Sequence, residues 1–213
     1  MYTKDKATKA ARKRYNCIAP LHDFIEGLMG GGHSVEWRKL LWSKVEGTNL
    51  LEVGVGTGNN FPYYPRDTEI TAVDLSEKML KLARDKASQQ KVKVLLQRMD
   101  VQDLRFEGNT FDTVVASFVF CTIPNPVRGL MEIQRVCRVG GEVILLEHVL
   151  SSNRIVSLLM NLVNPIITQL MRENINRQTV ENVNKSGLVV EQITDLAAGI
   201  FKLIESRKIT SQE

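Results

Sequence analysis

The sequence predicts an α/β fold, a mostly parallel sheet covered by helices and preceded by a helical segment. Three observations predict it. From residue 49 onward, short apolar runs alternate with stretches of helical period, and strands that are apolar throughout belong to parallel sheets buried on both faces. A glycine-rich loop follows the first run directly. The last two strand candidates are joined by a short link, which makes them an antiparallel pair.

In chain order, residues 3–46 read as helical. Apolar positions recur around Ile18, Leu21, Phe24, Ile25 and Leu28, then around Val35, Leu40, Leu41 and Val45, and Gly30-Gly31-Gly32 separates the helices. Strand candidates follow at 50–53, 70–73, 92–96, 113–116 and 142–146, with helices at 76–88 and 127–137 between them. Ser76 is a suitable N-cap, with Glu77 in the first turn. After residue 150 come an uncharged stretch at 155–171, a polar segment at 172–186, and strand candidates at 188–193 and 201–206. The length of 213 residues suits one compact domain. The expected division is a helical arm and cap over 1–46 and an α/β domain over 47–213, with a helical lid inserted near 153–186.

The net charge of +4 is unevenly spread. Residues 1–14 carry Lys4, Lys6, Lys9, Arg12, Lys13 and Arg14 against Asp5, a net +5, and the remainder is close to neutral. A basic arm attracts an anionic membrane surface or nucleic acid, or is simply a solvated helix end. The three cysteines, Cys17, Cys121 and Cys137, form no CxxC pair. Their odd number argues against a disulfide framework and against a metal site, and it fits a reducing cytoplasm. The N-terminus shows no apolar run of the kind a signal peptide needs. The stretch 155–171 is interrupted by Pro165 and falls short of the roughly 20 apolar residues of a spanning helix. Ser157, Asn161, Asn164 and Thr168 recur along it at helical spacing, so it reads as an amphipathic or buried helix.

The loop Gly54-Val55-Gly56-Thr57-Gly58 leaves the first strand. Its glycines allow a tight turn and let a ligand approach bare backbone. Asp74 ends the next strand candidate 20 residues after Gly54, where a carboxylate accepts hydrogen bonds from ribose hydroxyls. Asp100 ends the third unit, where an adenine edge would lie. Ligands of open parallel sheets bind at this edge. A dinucleotide fits less well: the glycine spacing is GxGxG, and the Glu52 carboxylate just ahead of the loop favours a cationic group over a diphosphate.

Leu51-Glu52-Val53-Gly54-Val55-Gly56-Thr57-Gly58, Ala72-Val73-Asp74-Leu75-Ser76, Phe111-Asp112-Thr113-Val114-Val115 and Arg135-Val136-Cys137-Arg138-Val139-Gly140-Gly141 resemble the ordered motifs of class I S-adenosylmethionine-dependent methyltransferases. The resemblance implies a Rossmann-like, seven-stranded, mostly parallel sheet with a final antiparallel strand. It implies S-adenosylmethionine as cofactor, held by Gly54, Gly56 and Gly58, with Glu52 near the methionine amino group through the loop. Asp74 and Leu75 would stand at the ribose, Asp100 and Val101 at the adenine, and Ser117 and Phe118 beside the methionine moiety. Arg14-Tyr15-Asn16-Cys17-Ile18-Ala19-Pro20 is similar to the N-terminal cap of bacterial phosphatidylethanolamine N-methyltransferases and of the ubiquinone/menaquinone C-methyltransferases. Glu147-His148-Val149, Asn164-Pro165 and Asn176-Arg177 are similar to the phospholipid enzymes and to the methyltransferase-like thiol methyltransferases. His22-Asp23 departs from the Tyr-Asp often found in those families.

Methyl transfer from a sulfonium is an in-line displacement, so a protein supplies mainly positioning and a dry site. An amine acceptor must be neutral when it attacks, and a general base then helps. His148, with a side chain that titrates near neutrality, is the candidate base, or else a structural histidine. Glu147 is a candidate for attracting a cationic substrate, or else an ion-pair partner. Tyr15 covers the cofactor, contacts a headgroup or packs a helix; Cys121 reads as packing. The expected activity is N-methylation of a phospholipid headgroup amine at a membrane surface. Peripheral contact would run through 1–14 and 155–171, from the cytoplasm and at the inner membrane face. The rivals are a methyltransferase for a soluble or hydrophobic small molecule, such as a quinone or thiol, and a non-catalytic cofactor-binding module. Nucleic acid is disfavoured as a partner, because the basic excess lies in one arm and Ser117-Phe118-Val119-Phe120 stands where adenine-modifying enzymes carry an NPPY-like motif.

Overall fold

The computed structural model describes residues 6–23, 32–151, 153–171, 176–197 and 199–209, with side chains of 166–171 excepted. Lys4 and Asp5 of the arm, the apolar positions Phe24, Ile25 and Leu28, the glycines Gly30 and Gly31, and residues 172–175 of the polar segment lie outside the described residues, as do the side chains of Ile166, Thr168 and Leu170.

Helix α1 (Lys6–Ile18) runs into a 3-10 turn at Ala19–Leu21, and α2 (Ser34–Ser43) precedes the sheet. Then come β1 (Asn49–Val53), β2 (Glu69–Asp74), α3 (Glu77–Gln90), β3 (Leu95–Arg98), β4 (Phe111–Ser117), α4 (Pro126–Val136) and β5 (Cys137–His148). The chain closes with α5 (Arg154–Met171), α6 (Thr179–Lys185), β6 (Val189–Ala197) and β7 (Phe201–Arg207). The seven strands form one sheet in the order β3-β2-β1-β4-β5-β7-β6. β1 to β5 are mutually parallel, and β7 is antiparallel to both β5 and β6. The fold is therefore Rossmann-like, with the expected final antiparallel strand.

Successive strand residues point to opposite faces, and this divides the core in two. Leu51, Val53, Val114, Val143, Leu145 and Ile204 pack with Leu130 and Ile133 of α4 and Val183 of α6. Leu50, Val115, Ile144, Leu146 and Leu203 pack with Trp37, Leu41 and Trp42 of α2. Burying each such side chain contributes roughly 1.5–3 kcal/mol, so α2 is held by its indole rings and Leu41 as firmly as a crossover helix. A third cluster joins Leu80, Ala83 and Ala87 of α3 to Val55 and Phe61, close to the glycine loop.

Several boundaries differ from the sequence expectation; β6 runs on to Ala197 rather than ending at Ile193. β3 begins at Leu95 rather than Val92, because α3 needs a C-terminal cap: Lys91 takes φ 56°, and the Val92 N–H returns to the Ala87 carbonyl at 2.9 Å. β5 begins at Cys137 rather than Glu142. The exposed residues Arg138 to Gly140 carry no apolar pattern, yet Cys137 already pairs with Phe111. The N-cap on α3 is as expected, with Ser76 Oγ accepting from the Met79 N–H at 3.2 Å. Among the described residues, no helix is long and apolar enough to cross a membrane.

Candidate active site

A cavity of about 380 Å3 opens at the carboxyl ends of the parallel strands, between the sheet and α1. That volume lies in the range of small-molecule sites. The glycine loop forms its floor. Gly54 and Val55 both donate to the Val73 carbonyl, at 2.8 and 3.1 Å, which ties the loop to the end of β2. Gly54 has φ 72°, and a Cβ there would lie 2.3 Å from Val119 Cγ2, so the chain after β4 packs on bare backbone.

Asp74 faces the cavity from the end of β2. Its carboxylate accepts from the Ser76 N–H at 2.8 Å and from the Gly56 N–H at 3.0 Å. Burial raises its pKa, and these backbone donors oppose the shift. Asp100 accepts from the backbone N–H of Gln102 at 2.9 Å and from its amide at 3.0 Å. The Gln102 amide reaches Thr8 of α1 at 3.2 Å, and its oxygen accepts from the Asn125 N–H at 3.1 Å.

The cavity wall brings together Tyr15, Gly54, Gly56, Asp74 and Leu75 with Asp100, Val101, Ser117 and Phe118. Four expected site residues stand off that wall. Glu52 is fully buried behind it, accepting from the Asn60 amide at 2.6 Å and from the Tyr64 hydroxyl. Its bond to Asn60 ties it to the segment that follows the glycine loop. Gly58 packs against the Phe61 ring. Glu147 and His148 are neighbours on β5 and so project to opposite faces of the sheet. Glu147 is wholly buried and accepts from the N–H groups of Val119 and Phe120. His148 packs edge-on to Phe201 with ring centroids 5.0 Å apart, so Phe201 and not His148 meets the cavity. Neither His148, the expected general base, nor Glu147, the expected substrate contact, lines the cavity.

Several wall residues were not read from the sequence. Arg38 is almost wholly buried; it donates to Asn60 Oδ1 at 2.5 Å and Ser117 Oγ at 3.0 Å, and it lies over the Phe118 ring at 5.3 Å. The available signal was a cation on the same helix face as Trp37, Leu41 and Trp42. His22 and Phe201 also line the cavity, as does Cys121, a buried thiol whose Sγ lies 3.6 Å from the Phe118 carbonyl.

The segment after α1 closes on the glycine loop despite its His22-Asp23 sequence. Asp23 accepts from the Thr57 hydroxyl, from the Asn59 amide at 3.1 Å and from Lys86 at 3.2 Å. Bonding with His22, Thr57 and Lys86 holds its carboxyl well below the usual range against the effect of burial. One residue of α1 adds a second tie: Asn16 Oδ1 accepts from the Ser76 hydroxyl at 2.7 Å.

Residues 51–145, from β1 into β5, match the family described as a methyltransferase domain. The matched stretch holds the glycine loop, Asp74, Asp100 and the chain after β4. Over 130 residues the chain is 43% identical to a phosphatidylethanolamine N-methyltransferase of Cereibacter sphaeroides, covering 60% of this chain and 63% of that protein. Over 158 residues it is 31% identical to a ubiquinone/menaquinone biosynthesis C-methyltransferase of Geobacter sulfurreducens, covering 69% of this chain and 61% of that protein. The chain therefore spans a little over three-fifths of the length of these curated relatives. A solved geranyl diphosphate methyltransferase in complex with S-adenosylmethionine shares the fold, with a TM-score of 0.67 at 15% identity, over 82% of this chain and 85% of that one.

S-adenosylmethionine is the cofactor this domain implies, and the wall fits it. Bare backbone at Gly56 leaves room for close approach, and Asp74 offers the cavity a carboxylate that can accept from hydroxyl groups.

Proposed function

We propose that this protein is an S-adenosylmethionine-dependent methyltransferase that N-methylates the amine of a phospholipid headgroup at a membrane surface. The observation that carries the membrane half of this reading is the outer face of α5. Ile155, Leu158, Leu159 and Leu162 recur at helical spacing and are 56–73% exposed. No charge interrupts 155–171. A contiguous apolar stripe of this kind marks an interaction surface, and an interfacial helix is its simplest use. A chain of contacts connects it to the cavity: Asn161 of α5 accepts from the Asn176 amide at 3.0 Å, and Arg177 donates to the Ile123 carbonyl at 2.9 Å, on the cavity wall. On α1, Ala11, Arg14, Tyr15 and Ile18 line the cavity, while Lys6, Lys9 and Lys13 share an exposed face. Those cations suit an anionic bilayer. The similarity to a phosphatidylethanolamine N-methyltransferase supports the same substrate class.

S-adenosylmethionine, when bound, supplies the activated methyl group. The chain's own residues bind and orient. Asp74 would accept from the ribose hydroxyls, Asp100 and Val101 would border the adenine, and Tyr15 would cover the site from α1. Ser117 and Phe118 would border the methionine moiety. Beyond β4 the wall is Phe118, Cys121, Thr122 and Ile123, joined by Phe201. Among the described residues it carries no carboxylate, so it favours a neutral amine over an ammonium before attack. The aromatic faces of Phe118 and Phe201 then accommodate the methylated ammonium product by cation–π attraction.

A second reading, methylation of a hydrophobic ring or thiol, is favoured by that same apolar wall and by the quinone-modifying relative. Membrane dependence separates the two. Transfer of labelled methyl to phosphatidylethanolamine in anionic vesicles should occur and should weaken as salt screens the basic face. It should collapse in the double variant Leu158→Asp, Leu162→Asp, whose exposed sites leave the fold intact. Transfer to a soluble quinol or thiol with equal rates in both proteins, and none to vesicles, refutes the phospholipid reading.

A further inference from the structure

β4 and β5 end side by side, and the chain leaving β4 turns back over the end of β5. Phe118 makes the turn with φ 58°, a left-handed conformation that costs a non-glycine residue free energy. Its N–H donates to the Leu146 carbonyl at 2.8 Å. The next two N–H groups, of Val119 and Phe120, both donate to Glu147 Oε1, at 2.8 and 3.1 Å. Val119, so held, packs its methyl groups onto Gly54. One buried carboxylate therefore fixes the turn that carries Phe118, Val119, Cys121 and Thr122 onto the cavity wall. In the strand order, this wall lies on the other side of β1 from Asp74 and Asp100.

The other oxygen, Oε2, is buried with no hydrogen-bond partner among the described residues. Burial pushes the carboxyl up to about 7, against the N–H groups of Phe120, Val119 and Cys121. Among the described residues, the charged groups of the adjoining elements bond elsewhere. Lys202, opposite Glu147 in the strand register, pairs with Asp195 at 2.8 Å. Arg177 holds the Ile123 carbonyl, and His148 projects to the other face. Because the folded carboxyl binds its proton more tightly than the usual value of 4.5, the unfolded chain loses that proton first. Stability contributed by the neutral form is then lost as pH rises from about 4.5 through about 7. A glutamine would keep the acceptor oxygen without that loss. A carboxylate here serves something other than stability: charge-assisted bonds to backbone N–H groups are roughly twice as strong as neutral ones.

We propose that Glu147 is a positioning residue, whose ionised carboxylate clamps the turn at 118–121 and so sets the wall against which the methyl acceptor docks. The acceptor part of this statement rests on the methyltransferase reading above; the clamp itself does not.

The signature is a pair of opposite trends that a purely structural glutamate would not produce. Glu147→Gln should melt about 3 °C or more above the wild type at pH 8.5, with the difference shrinking towards zero at pH 5.5. Amide exchange at Val119 and Phe120, corrected for intrinsic rate, should nevertheless be at least tenfold faster in Glu147→Gln at pH 8.5. Within the wild type alone, protection of these two amides should rise as pH passes through about 7, a result that does not depend on the variant folding. With phosphatidylethanolamine vesicles as acceptor, the wild-type to variant ratio of kcat/KM should climb about tenfold between pH 5.5 and 8.5. Equal protection of the two amides in both proteins at pH 8.5, or wild-type protection that ignores pH, overturns the clamp. Wild-type protein that labels no vesicle lipid overturns the substrate reading, while the exchange and melting comparisons still decide the role of Glu147.

Discussion

Replacing Gly54 with alanine combines two penalties that the neighbouring Gly56 allows to be separated. Both residues have positive φ, 72° and 56°, and a left-handed alanine costs about 1–2 kcal/mol. At Gly56 the added methyl group meets only His22 Cε1, at 3.7 Å, which is ordinary contact. At Gly54 it would lie 2.3 Å from Val119 Cγ2 and 3.0 Å from Cγ1. Val119 is β-branched, with little rotamer freedom, and its backbone is held by Glu147. Overpacking of this kind adds about 1–3 kcal/mol. Gly56→Ala should therefore lose about 1–2 kcal/mol and Gly54→Ala about 2–5 kcal/mol, read as shifts of the urea midpoint at unchanged slope. Gly54→Ala combined with Val119→Ala should recover most of the difference. Equal losses for the two single variants, or no recovery in the double variant, would refute the claim that the chain after β4 packs on bare glycine backbone.

Asp74→Ala removes a carboxylate proposed to bond the ribose, and charge-assisted bonds are worth roughly 1.5–3 kcal/mol. Calorimetry should show at least tenfold weaker binding of S-adenosylmethionine. Arg38→Met should unsettle the buried link between α2, Asn60 and Ser117, lowering the melting temperature by several degrees and weakening cofactor binding together; a change in neither would mean that α2 is merely packed beside the site. His148→Asn should keep turnover within tenfold of wild type, because Phe201 stands where the imidazole would need to be; a fall of about a hundredfold or more, the scale of a lost general base, would restore His148 to the chemistry.

The sheet was legible because its strands are apolar on both faces and separated by helices, a pattern with few other solutions. The cofactor edge was legible for a related reason: GxGxG, Asp74 and Asp100 fall at three successive strand ends, and strand ends share one rim. What misled was adjacency in sequence. Glu147 and His148 read as a pair at the rim, yet the two-residue period of a strand sends one to the α4 face and the other to the α2 face. Glu52 looked like a ligand for a cationic group because burial and the Asn60 and Tyr64 bonds are tertiary facts. Arg38 was missed for the converse reason: its place on the face of Trp37, Leu41 and Trp42 hints that it turns inward, but its bonds to Asn60 and Ser117 are tertiary facts.

The account is tested most directly by offering the full chain, with methyl-labelled S-adenosylmethionine, a mixture of phosphatidylethanolamine vesicles, a demethylated quinol and a small thiol, and resolving the labelled products by mass spectrometry. The predicted result is label on the lipid amine, dependent on the vesicle surface and lost in Asp74→Ala. Label confined to the quinol or the thiol contradicts the phospholipid reading, and cofactor binding without label on any acceptor contradicts the catalytic one.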